Sequence, residues 1–183
     1  MNEYFYNLPD ISPQDFEIMR FFVETANKDS RKTKLPIPPL FLSRVTHDLD
    51  ELPGHSVSQK DRTTTAVGLA WPGLGLMWVK SSRDLMDVQR TTIHELTHLR
   101  VAAEAHGPKW RRVFAVALAQ WLHHKGMPWE EIRREIGQVV YRYRKYRQFT
   151  PQGRYNPYAQ YLNRCEKEYR DLERIARRVC GIR

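Results

Sequence analysis

The sequence predicts an α+β fold carrying a basic helical extension, and three observations lead there. Apolar residues recur at three- and four-residue steps through five segments, the pattern of amphipathic helices. Between the first and second of these lie short runs rich in β-formers, bounded by Pro and Gly. Charge is also unevenly spread within the 183 residues and the net +9: residues 131–183 hold 14 Lys and Arg against 6 Asp and Glu, and residues 1–130 hold 16 against 15.

The first helix opens at Ser12-Pro13, with Ser12 as cap and Pro13 at the first helical position. Phe16, Met19, Phe22, Val23 and Ala26 form its stripe, and it is expected to end near Asn27. Arg31 to Pro39 is a connector, because Pro36, Pro38 and Pro39 forbid both helix and central strand. Leu40 to Val45, Thr63 to Ala70 and Leu76 to Lys80 read as three strands of a small sheet. A polar loop with His47, Asp48 and His55 separates the first two, and the turn Trp71-Pro72-Gly73 with Gly75 separates the last two.

Ser81, Ser82 and Asp84 supply capping groups for a long helix whose apolar face holds Leu85, Val88, Ile93, Leu96 and Leu99. Pro108 then opens a helix to about His124, with Trp110, Val113, Phe114, Ala117, Leu118 and Trp121 on one face. Gly126 ends it, and Pro128 opens another with Trp129, Ile132, Ile136, Val139 and Val140. Asn156-Pro157 starts a final helix striped by Tyr158, Tyr161, Leu162, Cys165, Tyr169, Leu172, Ile175, Ala176 and Val179. That stripe must bury against the domain or, by self-association, against a second copy. The expected division is a domain over residues 1–125 and a basic helical extension over 126–183.

Composition narrows the function classes. With 41% hydrophobic and 28% charged residues the chain has the make-up of a soluble protein. No apolar run approaches the ~20 residues that span a bilayer, so no membrane partner is expected. Met1 to Asp10 lacks a basic start and an apolar core, so no secretory signal is expected and a cytoplasmic location is the default. Cys165 and Cys180, fifteen residues apart on one helix, would stand ~22 Å apart and therefore remain free thiols.

The chemistry is concentrated in His94-Glu95-Leu96-Thr97-His98. Residues four apart on a helix lie one above the other, about 6 Å along the axis, so both imidazoles reach one metal ion, for which zinc is suited. Glu95 can accept a proton from an attacking water and pass it to a leaving amine. A helix can also carry two surface histidines with no metal, and a third ligand raises the motif above that reading. His106 opens the run His106-Gly107-Pro108-Lys109-Trp110. A helix continued from His98 would carry His106 about 12 Å away, so the chain must turn back, with Gly107 supplying the tight backbone. Glu104 competes for the same role, but the pattern that uses its position needs a glycine where Val101 stands. His123 and His124, at a helix end, suit the helix dipole, and His47, His55 and Asp61 read as surface residues.

The two linked elements resemble the SprT-like (Spartan-type) zinc metallopeptidases, in which H-E-x-x-H is followed by H-G-x-x-[FW]. His94, Glu95, His98, His106, Gly107 and Trp110 match, and the resemblance covers roughly Leu40 to His124. It implies a zincin-like catalytic domain in which His94, His98 and His106 hold Zn2+, Glu95 serves as base and then acid, and Leu76 to Lys80 is an edge strand beside the cleft. The gap between the second and third histidines is short for that family. The paired Cys-x-x-Cys motifs of a zinc ribbon are missing, so a catalytic-only member is implied.

Tyr141-Arg142-Tyr143-Arg144-Lys145-Tyr146-Arg147 interleaves aromatic rings with cations. Arg142, Arg144 and Arg147 suit phosphate contacts, and Tyr141, Tyr143 and Tyr146 suit stacking on unpaired bases, which predicts DNA binding with single strands preferred. A solvated basic helix whose tyrosines pack on the domain explains the same run. Three functions stay open on the sequence: an endopeptidase acting on DNA-associated protein, a nucleic-acid-binding or structural protein whose metal is a staple, and a regulatory peptidase that cleaves a repressor.

Overall fold

Pro13, with its φ fixed for a first helical turn, opens α1 (Pro13–Asp29), and a computed structural model of the chain describes residues 13–29, 40–43, 67–80, 84–102, 106–143 and 157–183. The chain forms two units, Met1–Ala102 and Ala103–Arg183. In the first, Ile18, Phe22 and Val23 of α1 are buried.

Three strands follow α1: β1 (Leu40–Ser43), β2 (Gly68–Trp71) and β3 (Leu76–Lys80). They form one sheet in the order β1-β3-β2, with β1 parallel and β2 antiparallel to β3. β2 and β3 are joined through Pro72 to Gly75, where Leu74 N–H donates to Trp71 C=O at 3.0 Å and Gly75 takes a left-handed φ of 65°. β3 is therefore the central strand, which corrects the expectation that Leu76 to Lys80 forms an edge. The physical reason lies in three consecutive buried residues, Met77, Trp78 and Val79, which require cover on both faces of the sheet. Among the described residues the edges are β1 and β2.

α2 (Leu85–Arg100) packs on α1, β2 and β3. Asp84 is its cap, accepting from Met86 N–H at 2.9 Å and Asp87 N–H at 3.4 Å, while Ser81 and Ser82 lie outside the described residues. Its buried set, Val88, Gln89, Thr92, Ile93, Glu95, Leu96 and Thr97, is wider than a single stripe because the sheet and α1 cover different sides. The two buried threonines are satisfied within the helix: Thr92 Oγ1 donates to Val88 C=O and Thr97 Oγ1 to Ile93 C=O, at 2.8 and 2.7 Å.

The second unit is helical: α3 (Pro108–His124), α4 (Trp129–Tyr143) and α5 (Pro157–Val179), each packed on the other two. Trp110, Phe114, Leu118, Trp121 and Leu122 of α3, Ile132, Ile136, Val139 and Val140 of α4, and Cys165, Leu172 and Ala176 of α5 are buried. The α5 stripe is packed only over its middle, since Tyr158, Leu162 and Val179 are exposed. Gly126, at a φ of 79°, closes α3, its N–H donating to His123 C=O at 3.0 Å. Cys165 and Cys180 are free thiols. Among the described residues, no helix is long and apolar enough to cross a membrane.

Candidate metal centre

Helix periodicity alone stacks the first two imidazoles. His94 and His98 lie one turn apart on α2, with their Nε2 atoms 3.1 Å apart and ring centroids 4.9 Å apart. Two nitrogens on one tetrahedral zinc, each about 2.05 Å from the ion, stand roughly 3.3 Å apart, so this pair is spaced for a shared ion. Both rings are half-buried.

His106 is held differently. Its φ is 58°, the left-handed region, and it is the one described non-glycine residue there. Gly107, expected to supply the special geometry, instead has an ordinary φ of −68° with ψ 179° and serves as N-cap of α3 without a side-chain bond. The turn therefore falls one residue earlier than the sequence suggests. Histidine enters this region more readily than most residues, at a cost of about 1–2 kcal/mol. Such a conformation persists only where its surroundings over-determine it.

Those surroundings are dense. The His106 ring meets the Trp110 ring edge-on with centroids 4.5 Å apart, and the Tyr143 ring lies 4.9 Å away on the other element. The Phe114 ring lies tilted against Trp110 at 4.9 Å, and Tyr143 contacts both. The His106 carbonyl accepts a bond from Arg111 Nη1 at 2.8 Å. Arg111 is 6% exposed, and its Nε and Nη2 donate to the two carboxylate oxygens of Glu168 at 2.6 and 3.0 Å. A buried guanidinium requires such pairing, and the fork geometry fixes its plane.

One ligand nitrogen from each of His94, His98 and His106 falls within 4.8 Å of the others, so this cluster could hold a metal ion. Three imidazole nitrogens are a donor set that zinc accepts with a fourth position left open, although other divalent metals take the same donors. Glu95 stands beside them, 5% exposed, with Oε1 3.9 Å from His94 Nε2. Burial pushes its carboxyl up to about 8. A dication held by the neighbouring imidazoles would pull it back down.

Gly68 of β2 was not singled out in the sequence, yet it lines Glu95. A Cβ on Gly68 would fall 2.5 Å from Glu95 Oε1 and 2.6 Å from Thr91 Cγ2, so only glycine lets the strand backbone run this close to the carboxylate. A glycine inside a strand is the one local signal that marks such an approach. Arg111 and Glu168 carried no signal at all, being 57 residues apart.

The other sequence-derived residues distribute as follows. Tyr141 and Arg142 are exposed, and the Arg142 guanidinium lies 5.8 Å over the Tyr143 ring. Tyr143 is half-buried against His106, Trp110 and Phe114, so it does not share a face with Tyr141, as two residues at about 100° each require. Arg144, Tyr146 and Arg147 lie outside the described residues, as do Glu104, His47, His55, Asp48 and Asp61. His123 and His124 are exposed in the last turn of α3, where His124 meets Trp121 at 5.7 Å. No protein-family model, no curated protein and no solved structure matches the chain.

Proposed function

We propose that the chain is a zinc-dependent endopeptidase of SprT-like, zincin type, in which His94, His98 and His106 hold the ion and Glu95 handles the proton. One observation carries the reading: three imidazoles able to share an ion, with a buried carboxyl 3.9 Å from one of them. Zinc, when bound, supplies a Lewis acid that polarises a carbonyl and lowers the pKa of water toward 7. Glu95 takes a proton from the attacking water at its carboxylate and delivers it to the leaving amine nitrogen. Gly68 leaves room for that carboxylate, because a Cβ there would fall 2.5 Å from Glu95 Oε1.

A substrate strand has a natural place along β2. β2 is an edge among the described residues, it packs on α2, and its first residue runs over Glu95. An extended peptide paired to it gains main-chain hydrogen bonds without regard to sequence. The cation excess of residues 131–183, together with exposed Tyr141 and Arg142, supports a substrate protein carried on DNA.

Zinc content and peptide-bond cleavage of an unstructured protein substrate, in wild type beside Glu95→Gln, test the reading. The expected result is one zinc per chain in both proteins and cleavage reduced on the order of 10²–10⁴-fold in the variant. Equal cleavage by both would move the base elsewhere, and a zinc-loaded wild type inert on every protein offered would leave the metal as a structural staple.

A further inference from the structure

We infer that Arg111 and Glu168 are positioning residues for the third metal ligand, so that α5 serves the metal centre as a brace. The inference rests on the metal-site reading and names how that site is held from α5. His106 occupies a left-handed backbone that its own sequence context does not impose, since the adjacent Gly107 is in an ordinary conformation. Something outside the turn must hold its peptide plane. Arg111 Nη1 bonds the His106 carbonyl at 2.8 Å, and Arg111 in turn is clamped by both oxygens of Glu168 at 2.6 and 3.0 Å.

The chain of contacts is continuous, with Arg111 buried and Glu168 and His106 half-buried. Arg111 sits in the first turn of α3, with its own N–H donating to Gly107 C=O at 2.9 Å, so its backbone and its guanidinium grip the two residues at the turn. Glu168 reaches it from the middle of α5, where Cys165 and Leu172 anchor the helix in the core of the unit. The other described ion pairs of α5 differ. Arg170–Glu166 and Arg174–Asp171 lie within about one turn of their own helix on exposed faces, and Glu173 pairs with Arg133 of α4 at 2.9 Å and with Arg177 at 3.7 Å, so none of them involves His106 or Arg111. Glu168 is the α5 carboxylate aimed at the turn that bears His106. The remaining support is aromatic: Trp110 and Tyr143 fix the ring, while Arg111 fixes the peptide. Partners one shell out from a metal ligand hold its orientation and tune affinity by about 10–100-fold.

The test uses the full chain with zinc and with cobalt(II) as probes. Glu168→Gln keeps the shape but removes the charge, and Arg111→Lys keeps the charge but cannot grip Glu168 and the His106 carbonyl together. Arg174→Ala breaks an exposed pair on the same helix as a control. Zinc affinity is read by competition with a chromophoric chelator, ligand geometry by the visible bands of the cobalt form, and scaffold integrity by the melting midpoint of the metal-free chain. Glu168→Gln and Arg111→Lys are expected to lose about 10–100-fold in zinc affinity and to change the cobalt bands, with the metal-free midpoint kept near wild type. Arg174→Ala is expected to match wild type in all three. Wild-type affinity and unchanged cobalt bands in both variants would overturn the brace. So would an affinity loss that only tracks a lowered metal-free midpoint, because that is what a merely structural pair produces. If Glu168→Gln does not fold, Glu168→Asp, which withdraws the carboxylate by one methylene, decides on the same criteria. A wild type that binds no zinc through the three histidines would bring down the site itself and the brace with it, a pattern distinct from variants that differ from a zinc-binding parent.

Discussion

His94 and His98 are presented by regular structure, whereas His106 is presented by an irregular one. The first two need only an intact α2: a four-residue step sets their nitrogens 3.1 Å apart, and every backbone bond between them is an ordinary helical one. The third sits at a φ of 58° and depends on side chains from three helices, Trp110 and Arg111 of α3, Tyr143 of α4 and Glu168 of α5. Periodicity places two ligands at almost no energetic cost. The ligand that completes the set must be held by packing.

The largest effect that separates the two modes is ligand loss. His98→Ala and His106→Ala should each weaken zinc binding by about a hundredfold or more, because two nitrogens leave a tetrahedral site incomplete. They should part in the metal-free state. The half-buried ring of His98 is expected to leave the melting midpoint nearly unchanged, whereas removing the His106 ring from Trp110 and Tyr143 should lower it. Equal metal-free midpoints would show that the irregular ligand is no more deeply embedded than the helical ones.

A second effect concerns Glu95 in the metal-free chain, where burial raises its carboxyl from 4.5 to about 8. Because the folded pKa lies above the unfolded one, the stability tied to this group is fully present below pH 4.5 and is lost as pH rises through 8. Glu95→Gln should therefore gain on wild type across that window, by a few kcal/mol at most, with little difference below it. Chemical denaturation of both proteins with a chelator present measures the gap. A gap that does not grow between pH 5 and 8 would mean that water reaches the carboxyl.

The smallest effect falls on β2. Gly68→Ala puts a methyl against Glu95 Oε1 and Thr91, an overpacking of about 1–3 kcal/mol, and thermal melting should register it. Pairing it with Glu95→Ala should recover part of the loss, since the double variant removes the Glu95 atoms that the methyl meets and leaves Thr91 Cγ2 in place. Without recovery, the strain lies at Thr91 or in the strand backbone and not in the carboxylate.

What could be read from the sequence was local. The H-E-x-x-H helix, the helix start at Pro108 and the final helix from Pro157 depend on spacing and on proline geometry, both written within a few residues. The place of β3 at the centre of the sheet is not written locally, because strand order depends on partners elsewhere in the chain. Even so, the unbroken run Met77-Trp78-Val79 carried the signal of a strand covered on both faces. Intrinsic preference points to Gly107 as the left-handed residue, and tertiary contacts place that conformation at His106. Tyr143 was grouped with Tyr141 by composition, although helical rotation alone separates them. The Arg111–Glu168 fork joins residues 57 apart, and no local pattern announces it.

If the chain is the endopeptidase proposed above, the length of β2 bears on what it could attack. Four residues span roughly 13 Å at a strand rise of about 3.3 Å per residue, and the turn at Pro72 to Gly75 closes one end. A strand edge of that size accepts a thread and refuses a surface: a partner must already be unravelled over several residues before it can lie along the strand. Discrimination would then come from the victim's state of folding more than from its side chains, so intact neighbours would be spared and a frayed or locally melted protein would be cut.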